Sequence, residues 1–497
     1  MQPLPALIHS TATVRAADRY AIDVLGVPGY ALMTRAAEAA LGALRAQWPL
    51  ARRMLVLCGR GNNGGDGYVL ARYARAAGLG VTVTAPDGAP TGEDSIRALE
   101  DWTGAGGVIE PWDEALVQRA DLIVDALFGT GLTRTIDGPL AAVVDSVNRA
   151  GRPVLALDTP SGLNTETGAA PGAAIRATLT VAFVGLKPGF FLGQGPALVG
   201  RVVCDDLDIP AAAFGGSTGV LRRISEAELK RALPRRPRTA NKGDNGRVLV
   251  IAGGAGMPGA ARLAGEAALR AGAGLVTIAT WPAHAAVIAA VRAELICVPV
   301  DVRADLEPLI AAADVVAIGP GLGRSPWAQG LLAAALESSK PLVVDADALN
   351  LLATAPVARG RWCLTPHPGE AARLLGSDVA SVQSDRLGAV RALATRYGGV
   401  AVLKGAGTLI AEGESAPYLC ERGNPGMAVA GMGDALTGVI AAIAAQQADP
   451  AASLGLAAAV GVLVHASAGD LIARSGERGL LASDLIAQLP ACVNPTN

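Results

Sequence analysis

Short apolar runs rich in Val, Leu and Ile alternate with helix-like segments along this chain of 497 residues, and this alternation restricts the possible folds more than any other feature. In the first half, the strand-like runs are 52–59, 81–86, 120–127, 152–160, 179–189 and 201–210, and the helix-like segments include 65–78 and 138–150. Strands that alternate with helices form parallel sheets whose two faces are both covered. The first half is therefore predicted to be an α/β domain.

The alternation starts again in the second half, after two segments that lack periodicity. Residues 211–223 and 233–246 are rich in Gly, Pro or charge, which is typical of a domain junction. Beyond them, strand-like runs occupy 246–254, 275–282, 313–321, 340–349, 399–407 and 407–414, and a helix-like segment occupies 261–274. We therefore predict two α/β domains, 1–222 and 223–497.

Composition excludes several classes of function. The chain is 51% hydrophobic, and its formal net charge of -2 offers no basic face for a nucleic acid or an anionic membrane. Six scattered cysteines without a C-x-x-C pair indicate reduced thiols rather than a zinc site. The first ten residues lack the pattern of a signal peptide, so we expect a cytoplasmic protein. The apolar stretches 436–445 and 454–466 are predicted to be buried helices, too short and too weakly apolar to span a membrane.

Three polar loops in the first half each follow a predicted strand. The segment LCGRGNNGGDGYVL places Asn62, Asn63 and Asp66 in a Gly-rich loop before a helix, where backbone N–H groups can bind a phosphate. Taken alone, this loop is equally compatible with a tight turn whose Asn and Asp side chains cap the helix. Asp125 and Asp158 lie at the ends of two further strands. Because ligands bind beyond the carboxyl ends of parallel strands, the convergence of three such loops indicates a functional site.

The second half carries four candidate features, each of which also has a structural interpretation. A Gly-rich loop follows Lys242 and Asp244, His367 lies between two prolines, and Lys404 ends a strand before Gly405 and Gly407. These could be a surface turn, a structural histidine and a solvated lysine, or they could be ligand contacts.

The strongest signal in this half is GNPGMAVAGMGDALTGVIAAIAA, where Asp434 is expected just before a long apolar helix. A Gly-rich helix start offers an anion site, and an aspartate there can accept the proton of a hydroxyl group. The alternative role, an N-cap, would not require Gly431 and Gly433 immediately before it.

The motifs "VLCGRGNNGGDGYVLARY", "DLIVDALFGTGL" and "PVLALDTPSGLNTETG" resemble the YjeF N-terminal-type family of NAD(P)H-hydrate epimerases, over residues 12–210. The resemblance implies a Rossmann-like three-layer α/β/α sandwich, potassium bound by Asn63, Asp125 and Ser161, acid–base catalysis by Asp158, and assistance by the charge of Lys187. It places the hydrate against Asn62, Asn63, Gly64, Gly65, Asp66, Gly129, Thr130, Gly131, Leu132, Thr133, Arg134, Thr135 and Asp158.

The motifs "NKGDNGRVLVIAGG", "DADALN", "LTPHPGE", "VLKGAGT" and "GMGDALTG" resemble the ADP/ATP-dependent NAD(P)H-hydrate dehydratases of the ribokinase-like family, over residues 223–490. The resemblance implies a ribokinase-like α/β/α domain, with Asp434 as the base and magnesium bridging the nucleotide phosphates. It places the hydrate near Ala260, Gly321, His367 and Asp434. It places the nucleotide on Lys404, Gly405, Ala406, Gly407, Thr408 and Gly433.

Together the two resemblances imply repair of hydrated NADH and NADPH: interconversion of the R and S hydrates, then dehydration of the S form with ADP or ATP. ADP is expected, because fused prokaryotic members usually prefer it, and a homo-oligomer is expected from the domain type. Two alternatives remain: a ribokinase-like vitamin-precursor kinase with an N-terminal binding domain, and a scaffold related to RNA-handling proteins. The presence of Asp158 and Asp434 favours an enzyme over a scaffold.

Overall fold

The computed structural model describes residues 3–131 and 134–495. It divides into two compact units, the first ending at Leu221 and the second beginning at Arg222. Each unit contains its own sheet and its own buried apolar core, and the two are described separately below.

The N-terminal unit is built on a parallel sheet, as predicted. Six strands form this sheet: β2 (Arg53–Cys58), β3 (Gly80–Thr84), β4 (Leu122–Ala126), β5 (Val154–Leu157), β6 (Leu179–Phe183) and β7 (Arg201–Asp205); the short strand β1 (Leu7–Ile8) lies outside it. The order across the sheet is β3-β2-β4-β5-β6-β7, and each neighbouring pair is parallel. All six strands therefore present their carboxyl ends at one edge, where ligands bind in open sheets of this kind.

Helices cover both faces of this sheet. They are α1 (Thr11–Asp23), α2 (Gly29–Gln47), α3 (Asn62–Ala76), α4 (Glu93–Gly104), α5 (Glu114–Arg119), α6 (Gly138–Arg149) and α7 (Gly195–Leu198). Along β2, Val56 packs in the core formed with α1 to α4, whereas Leu55 and Leu57 pack in the core formed with α5 and α6. The period of two in side-chain direction thus makes β2 apolar on both faces, and the unit has three layers.

The C-terminal unit contains a larger, mixed sheet. Its strands are β8 (Leu221–Arg223), β9 (Arg247–Ile251), β10 (Leu275–Thr280), β11 (Ile296–Pro299), β12 (Val315–Ile318), β13 (Leu342–Val344), β14 (Trp362–Leu364), β15 (Val400–Leu403), β16 (Thr408–Glu412) and β17 (Tyr418–Cys420). The order within the unit is β8-β17-β16-β15-β14-β13-β12-β9-β10-β11. The pairs β15–β16 and β16–β17 are antiparallel and the others parallel.

Two groups of helices cover the faces of this second sheet. They are α8 (Glu226–Ala232), α9 (Pro258–Arg270), α10 (Ala285–Val291), α11 (Arg303–Ala312), α12 (Pro326–Glu337), α13 (Ala346–Thr354), α14 (Pro368–Leu375), α15 (Val379–Ser384), α16 (Arg386–Tyr397), α17 (Met432–Ala445), α18 (Leu454–Ile472) and α19 (Ala482–Cys492). Helices α9, α17, α18 and α19 share one core with the sheet. Because α17 is rich in Ala and Gly, it lies close to α9: a Cβ atom on Gly438 would be 2.0 Å from the carbonyl oxygen of Ala264.

The structure corrects several sequence-based boundaries. The strand predicted over 340–349 ends at Val344, and α13 begins at Ala346. Asp434 does not precede the apolar helix but lies in its first turn, because α17 begins at Met432. The run at 179–189 leaves the strand conformation after Phe183. In the two strand cases, apolar residues continue past the last strand residue, so hydrophobicity alone does not mark the strand end.

The length predicted for the second apolar stretch was also wrong. The helical segment Leu454–Ser475 has 22 residues and a mean hydropathy of 1.7, so its length and composition alone would allow it to cross a membrane. However, 67% of this window is buried inside the fold. In α18, Leu454, Val460 and Val464 belong to the core shared with α9 and α17. The predicted buried position of this helix is therefore confirmed.

The contact between α17 and α9 predicts opposite effects for two glycine substitutions in the same unit. Gly438→Ala should lower the free energy of unfolding by about 1–3 kcal/mol, because the new methyl group meets the Ala264 carbonyl. Gly330→Ala in α12 is the matched control: its methyl group would meet nothing within 4 Å. Because alanine favours helix, it should raise the same free energy by about 0.5–1 kcal/mol. Urea denaturation of the full chain, followed by tryptophan fluorescence, would measure both. Equal stabilities would contradict the close packing.

Candidate active sites

A cleft of about 630 Å³ opens in the N-terminal unit at the edge formed by the carboxyl ends of the parallel strands. We call it the N-terminal cleft. Its lining comes from α1 and α2, from the starts of α3 and α4, from the loops after β2, β4, β5 and β6, and from residues near the ends of β6 and β7. The lining residues are Val14, Arg15, Asp18, Ile22, Gly29, Leu32, Met33, Ala36, Gly61, Asn62, Asn63, Asp66, Asp94, Leu127, Phe128, Gly129, Thr130, Gly131, Asp158, Phe183, Val184 and Leu207. The three predicted loops therefore meet in one cleft.

Asp158 is held in this cleft by a buried lysine. The fully buried ammonium of Lys187 donates a hydrogen bond to Oδ1 of Asp158 and another, of 3.1 Å, to the carbonyl of Phe183. The N–H of Thr130 lies 3.3 Å from Oδ2 of Asp158. A Cβ atom on Gly129 would lie 3.2 Å from the same oxygen, so the glycine allows the loop to approach. These contacts stabilise an ionised, oriented carboxylate.

Two further carboxyl groups face Asp158. Burial, followed by repulsion from Asp158, raises the pKa of Asp18. The pKa of Asp66 is raised well above its usual value, first by burial and then by the charges of Asp158 and Asp18. The cleft can therefore hold a carboxylate beside a protonated carboxyl group, as acid–base chemistry requires. Sequence reasoning missed Asp18 and its neighbour Arg15, because charges on an amphipathic helix carry no distinctive signal.

Beside the cleft, Asp125 and Ser161 form a buried pair. Ser161 donates from its backbone N–H to Oδ2 of Asp125 at 2.7 Å and from its hydroxyl group to Oδ1 at 2.6 Å. Burial raises the pKa of Asp125 to about 6, although the hydrogen bonds from Ser161 oppose the increase.

The amide of Asn63 is 8% exposed, and neither its oxygen nor its nitrogen has a hydrogen-bond partner among the described residues. A buried amide without a partner is costly, which indicates a missing ligand. Its oxygen, together with the neighbouring carboxylate and hydroxyl groups, fits a hard cation such as potassium.

Four of the other predicted hydrate contacts that the structure describes, Gly64, Gly65, Arg134 and Thr135, do not line the cleft. Gly64 and Gly65 are buried where α3 packs: a Cβ atom on Gly64 would lie 1.9 Å from the carbonyl oxygen of Gly59. Arg134 is paired with Asp87 at 3.0 Å. Thr135 packs near Gly172. Leu132 and Thr133 lie outside the described residues.

Backbone strain is concentrated at this cleft. Among the residues that the structure describes, five non-glycine residues have a positive φ, and three of them line the cleft: Asp158 at 62°, Val184 at 68° and Leu207 at 53°. Such a conformation is unfavourable for a β-branched residue like Val184. Strain of this kind persists where the surrounding structure holds functional groups in place.

In the C-terminal unit, Lys404 and Asp345 form the centre of a second candidate site. Nζ of Lys404 lies 2.7 Å from Oδ1 of Asp345, whose side chain is 1% exposed, and the hydroxyl group of Thr437 donates to Oδ2 at 2.8 Å. Burial alone would lower the pKa of Lys404, but the carboxylates of Asp345 and Glu370 outweigh it and raise that pKa. A Cβ atom on Gly433 would lie 3.3 Å from Nζ, so α17 begins in contact with this pair.

Asp434 lies one residue beyond Gly433, in the first turn of α17. Burial, followed by the charge of Asp345, raises the pKa of Asp434 to about 6, against the opposing effect of Lys404. Nε2 of His465 lies 2.9 Å from the carbonyl of Met432, and burial lowers the pKa of this histidine to about 4. His465 is therefore neutral at neutral pH, and its ring is hydrogen-bonded to the carbonyl of the first residue of α17.

His367 combines a structural role with a position close to this site. Its Nδ1 accepts hydrogen bonds from the N–H groups of Gly369 at 2.9 Å and Glu370 at 3.3 Å, so it caps α14. Burial and the charge of Lys404 lower the pKa of His367. Burial raises the pKa of Glu370 to about 7, although Lys404, 4.0 Å away, opposes this. His367 can therefore cap α14 through Nδ1 and still lie close enough to Lys404 to contact a ligand there.

Ala260 and Gly321 lie next to each other: a Cβ atom on Gly321, whose φ is 53°, would be 2.9 Å from Cβ of Ala260. The N–H of Gly254 donates to the carbonyl of Gly321 at 2.7 Å and joins the loops after β9 and β12. Asp244, in contrast, accepts a hydrogen bond from the N–H of Asn241 in an exposed turn, which favours the surface-turn interpretation.

Known proteins show clear similarity to this chain. Residues 29–189 match the family described as YjeF-related protein N-terminus, and residues 248–491 match NAD(P)H-hydrate dehydratase. Bifunctional NAD(P)H-hydrate repair enzymes of Coxiella burnetii and Escherichia coli are 46% and 45% identical to it, over 98% and 99% of this chain and 100% and 95% of their own lengths.

A solved ribokinase-like superfamily protein of Enterococcus faecalis is 28% identical, with a TM-score of 0.50, over 56% of this chain and 96% of that protein. The coverage matches the size of the C-terminal unit and confirms its fold class. With full-length relatives above 30% identity and a match in each half, the chain belongs to the family of bifunctional NAD(P)H-hydrate repair enzymes.

Proposed function

We propose that the N-terminal unit interconverts the R and S hydrates of NADH and NADPH, and that the C-terminal unit dehydrates the S form at the expense of ADP or ATP. The observation that carries this proposal furthest is Asp434, which lies in a Gly-flanked first helical turn beside Lys404. The full-length relatives support the repair activity over a vitamin-precursor kinase. Both aspartates stand among polar groups, which supports an enzyme over a scaffold.

Epimerisation inverts the ring carbon that carries the hydroxyl group. In the proposed reaction, a protonated carboxyl group donates its proton to this hydroxyl group while the C–O bond breaks and water leaves. The lone pair of the ring nitrogen forms a C=N bond, and water then adds to the opposite face and loses a proton to a carboxylate. Asp158, which is paired with the ammonium group of Lys187, suits the role of the base. Asp18 and Asp66, whose pKa values are raised, suit the role of the acid.

We further propose that potassium binds between Asn63, Asp125 and Ser161. The unpartnered amide of Asn63 and the buried Asp125–Ser161 pair support this assignment. When bound, the ion would supply a fixed positive charge next to the loop after β4. The chain's own residues would then orient the hydrate: Thr130 and Gly129 hold the loop against Asp158.

Dehydration would proceed in two steps in the C-terminal unit. Asp434 removes the hydroxyl proton, the hydroxyl oxygen forms a bond to the terminal phosphorus, and the bond between that phosphorus and the bridging oxygen of the nucleotide breaks. In the second step, phosphate leaves the ring carbon, the neighbouring carbon loses a proton, and the double bond of the reduced nicotinamide is restored. The first turn of α17 would stabilise the charge on the transferred group.

Magnesium would accompany the nucleotide and neutralise charge on its phosphates. No cluster of three or more His, Cys, Asp or Glu side chains suitable for a metal occurs in 3–131 or 134–495. This fits an ion that is bound mainly by phosphate oxygens and water, as magnesium usually is at nucleotide sites.

The raised pKa of Asp434 predicts the pH dependence of dehydration. A base with a pKa of about 6 is active when deprotonated, so kcat/KM for the S hydrate should be constant above this pH. Below it, kcat/KM should fall about tenfold per pH unit. Because Glu370, with a pKa of about 7, titrates in the same range, the profile should be measured in the Glu370→Gln variant as well as in the wild type. Asp434→Asn should abolish dehydration. A profile that rises towards acid pH would contradict the assignment.

The role of Asp158 predicts a stereochemical defect. In Asp158→Asn, a mixture of R and S hydrate supplied with ADP or ATP and magnesium should lose only its S part, because the R form is no longer converted. Recovery of absorbance at the wavelength of reduced nicotinamide measures this, and chiral chromatography identifies the remaining isomer. Asp434→Asn is the reciprocal control, since it should still equilibrate the two isomers. Complete repair by Asp158→Asn would exclude its proposed role.

The potassium assignment predicts an ion requirement that depends on Asn63. Epimerisation should increase with potassium concentration, and Asn63→Ala should require at least about tenfold more potassium for half-maximal activity, because one ligand is lost. Dehydration of pure S hydrate by the same variant controls for folding of the C-terminal unit. Identical potassium dependence in wild type and variant would remove Asn63 from the ion site.

A further inference from the structure

Arg386, the first residue of α16, is a buried cation with no ionic partner among the residues that the structure describes. It is 4% exposed, and burial lowers the pKa of its guanidinium to about 10, with no charged neighbour contributing to the shift. A buried charge normally requires a counter-charge, because transfer out of water is costly. Some other interaction or function must therefore offset the cost of burying the charge of Arg386.

The guanidinium is instead surrounded by carbonyl groups of one loop. Its Nη2 donates to the carbonyls of Leu403 at 3.2 Å, Lys404 at 3.2 Å and Gly407 at 3.3 Å, while Nη1 donates to the side chain of Gln383 at 2.8 Å. Its Nε is buried and has no hydrogen-bond partner within 3–131 and 134–495. Arg386 thus holds both ends of the segment 404–407 from below.

These bonds determine which way the loop directs its N–H groups. In a trans peptide the N–H and C=O groups are antiparallel, so the carbonyl of Lys404 that faces Arg386 directs the N–H of Gly405 away from it. The preceding peptide follows the same geometry: the N–H of Lys404 donates to the carbonyl of Pro366 at 2.9 Å. The carbonyls of Leu403, Lys404 and Gly407 therefore face Arg386, and the N–H of Gly405 points away from it.

The two glycines of this loop fit the same arrangement. Gly405 has a φ of 132° and Gly407 a φ of 64°, conformations that other residues rarely adopt. A Cβ atom on Gly405 would lie 3.2 Å from Nη1 of Arg386. The close approach of the guanidinium thus accounts for a glycine at this position.

The buried positive charge of Arg386 would attract an anion that binds on the outer side of the loop 404–408. The nearby ammonium of Lys404 is already neutralised by Asp345, whereas the charge of Arg386 is stabilised only by carbonyl and amide dipoles. An anion bound on the outer side of the loop would be attracted through a medium of low dielectric constant, where such attraction is stronger than in water.

We propose that Arg386 is a positioning residue of the nucleotide site: from beneath, it shapes the loop 404–408 and supplies the uncompensated positive charge that favours a bound nucleoside diphosphate. This inference rests on the proposed function, which places the nucleotide on that loop. Arg386 does not contact the hydrate site residues Ala260, Gly321 or Asp434 in the interactions described, so its effect should be confined to the nucleotide.

The test compares nucleotide binding with hydrate turnover in the full-length protein. Arg386→Lys keeps a charge but cannot bond three carbonyls, so it should raise the Kd of ADP with magnesium, measured by calorimetry, about tenfold or more. The KM for the nucleotide should rise in parallel, while the KM for S hydrate at saturating nucleotide stays within about twofold of the wild type. Arg396→Gln, an exposed arginine on the same helix, is the matched control and should bind ADP as the wild type does.

A second variant tests the same inference if the first one does not fold. Arg386→Gln removes the charge but keeps a donor for the loop carbonyls, so it carries the test if Arg386→Lys does not fold, and it should also weaken ADP binding. Equal ADP affinity in the wild type and in a folded variant would overturn the inference. So would a parallel loss of nucleotide and hydrate affinity, which indicates a general structural role. Absence of ADP and ATP binding by the wild type would instead refute the proposed function of this unit.

Discussion

The ion pair between Lys404 and Asp345 connects the parts of the C-terminal unit that its chemistry needs. It joins the end of β15 to the end of β13, and through Thr437 it also joins α17, which carries Asp434. Because both charges are withdrawn from water, removal of either one would leave the other unpaired in the interior, at a cost of about 3–5 kcal/mol. The strand order of the sheet brings these two ends close together, with only β14 between them. The strand order thus places Asp345 and Lys404 close together, and the attraction between their charges stabilises that arrangement.

The N-terminal unit uses a related solution with different residues. Lys187 follows β6 and Asp158 follows β5, so a buried ammonium again meets a carboxylate at the ends of neighbouring parallel strands. In both units further carboxyl groups lie near the pair, and burial raises their pKa values: Asp66 in the first unit and Asp434 in the second. In each unit a lysine–aspartate pair therefore stands beside a carboxyl group whose pKa is raised, as is typical of catalytic sites.

The sequence predicted the architecture because the alternation of strands and helices is a property of whole segments. It also indicated Asp158, which follows an apolar strand in a turn that contains Pro and Gly, and Asp434, which follows Gly431 and Gly433 at the start of an apolar helix. It did not identify Asp18 or Arg386, because their importance depends on neighbours that are distant in the chain. It also could not separate Gly64, which is required for packing, from the exposed residues of the same loop. The antiparallel strands β16 and β17 were not anticipated as such, because strand direction depends on the partner and not on local composition.

The left-handed backbone of Asp158 has a consequence for how the N-terminal unit balances durability against activity. A glycine would adopt a φ of 62° without the steric penalty that a side chain incurs there, which is on the order of 1 kcal/mol. It would also leave Lys187 buried without a counter-charge. A substitution that relieves the backbone strain at Asp158 therefore also removes the ion pair with Lys187. Substitutions selected only for thermal resistance should therefore accumulate elsewhere in the unit and not at Asp158, even though its positive φ favours glycine.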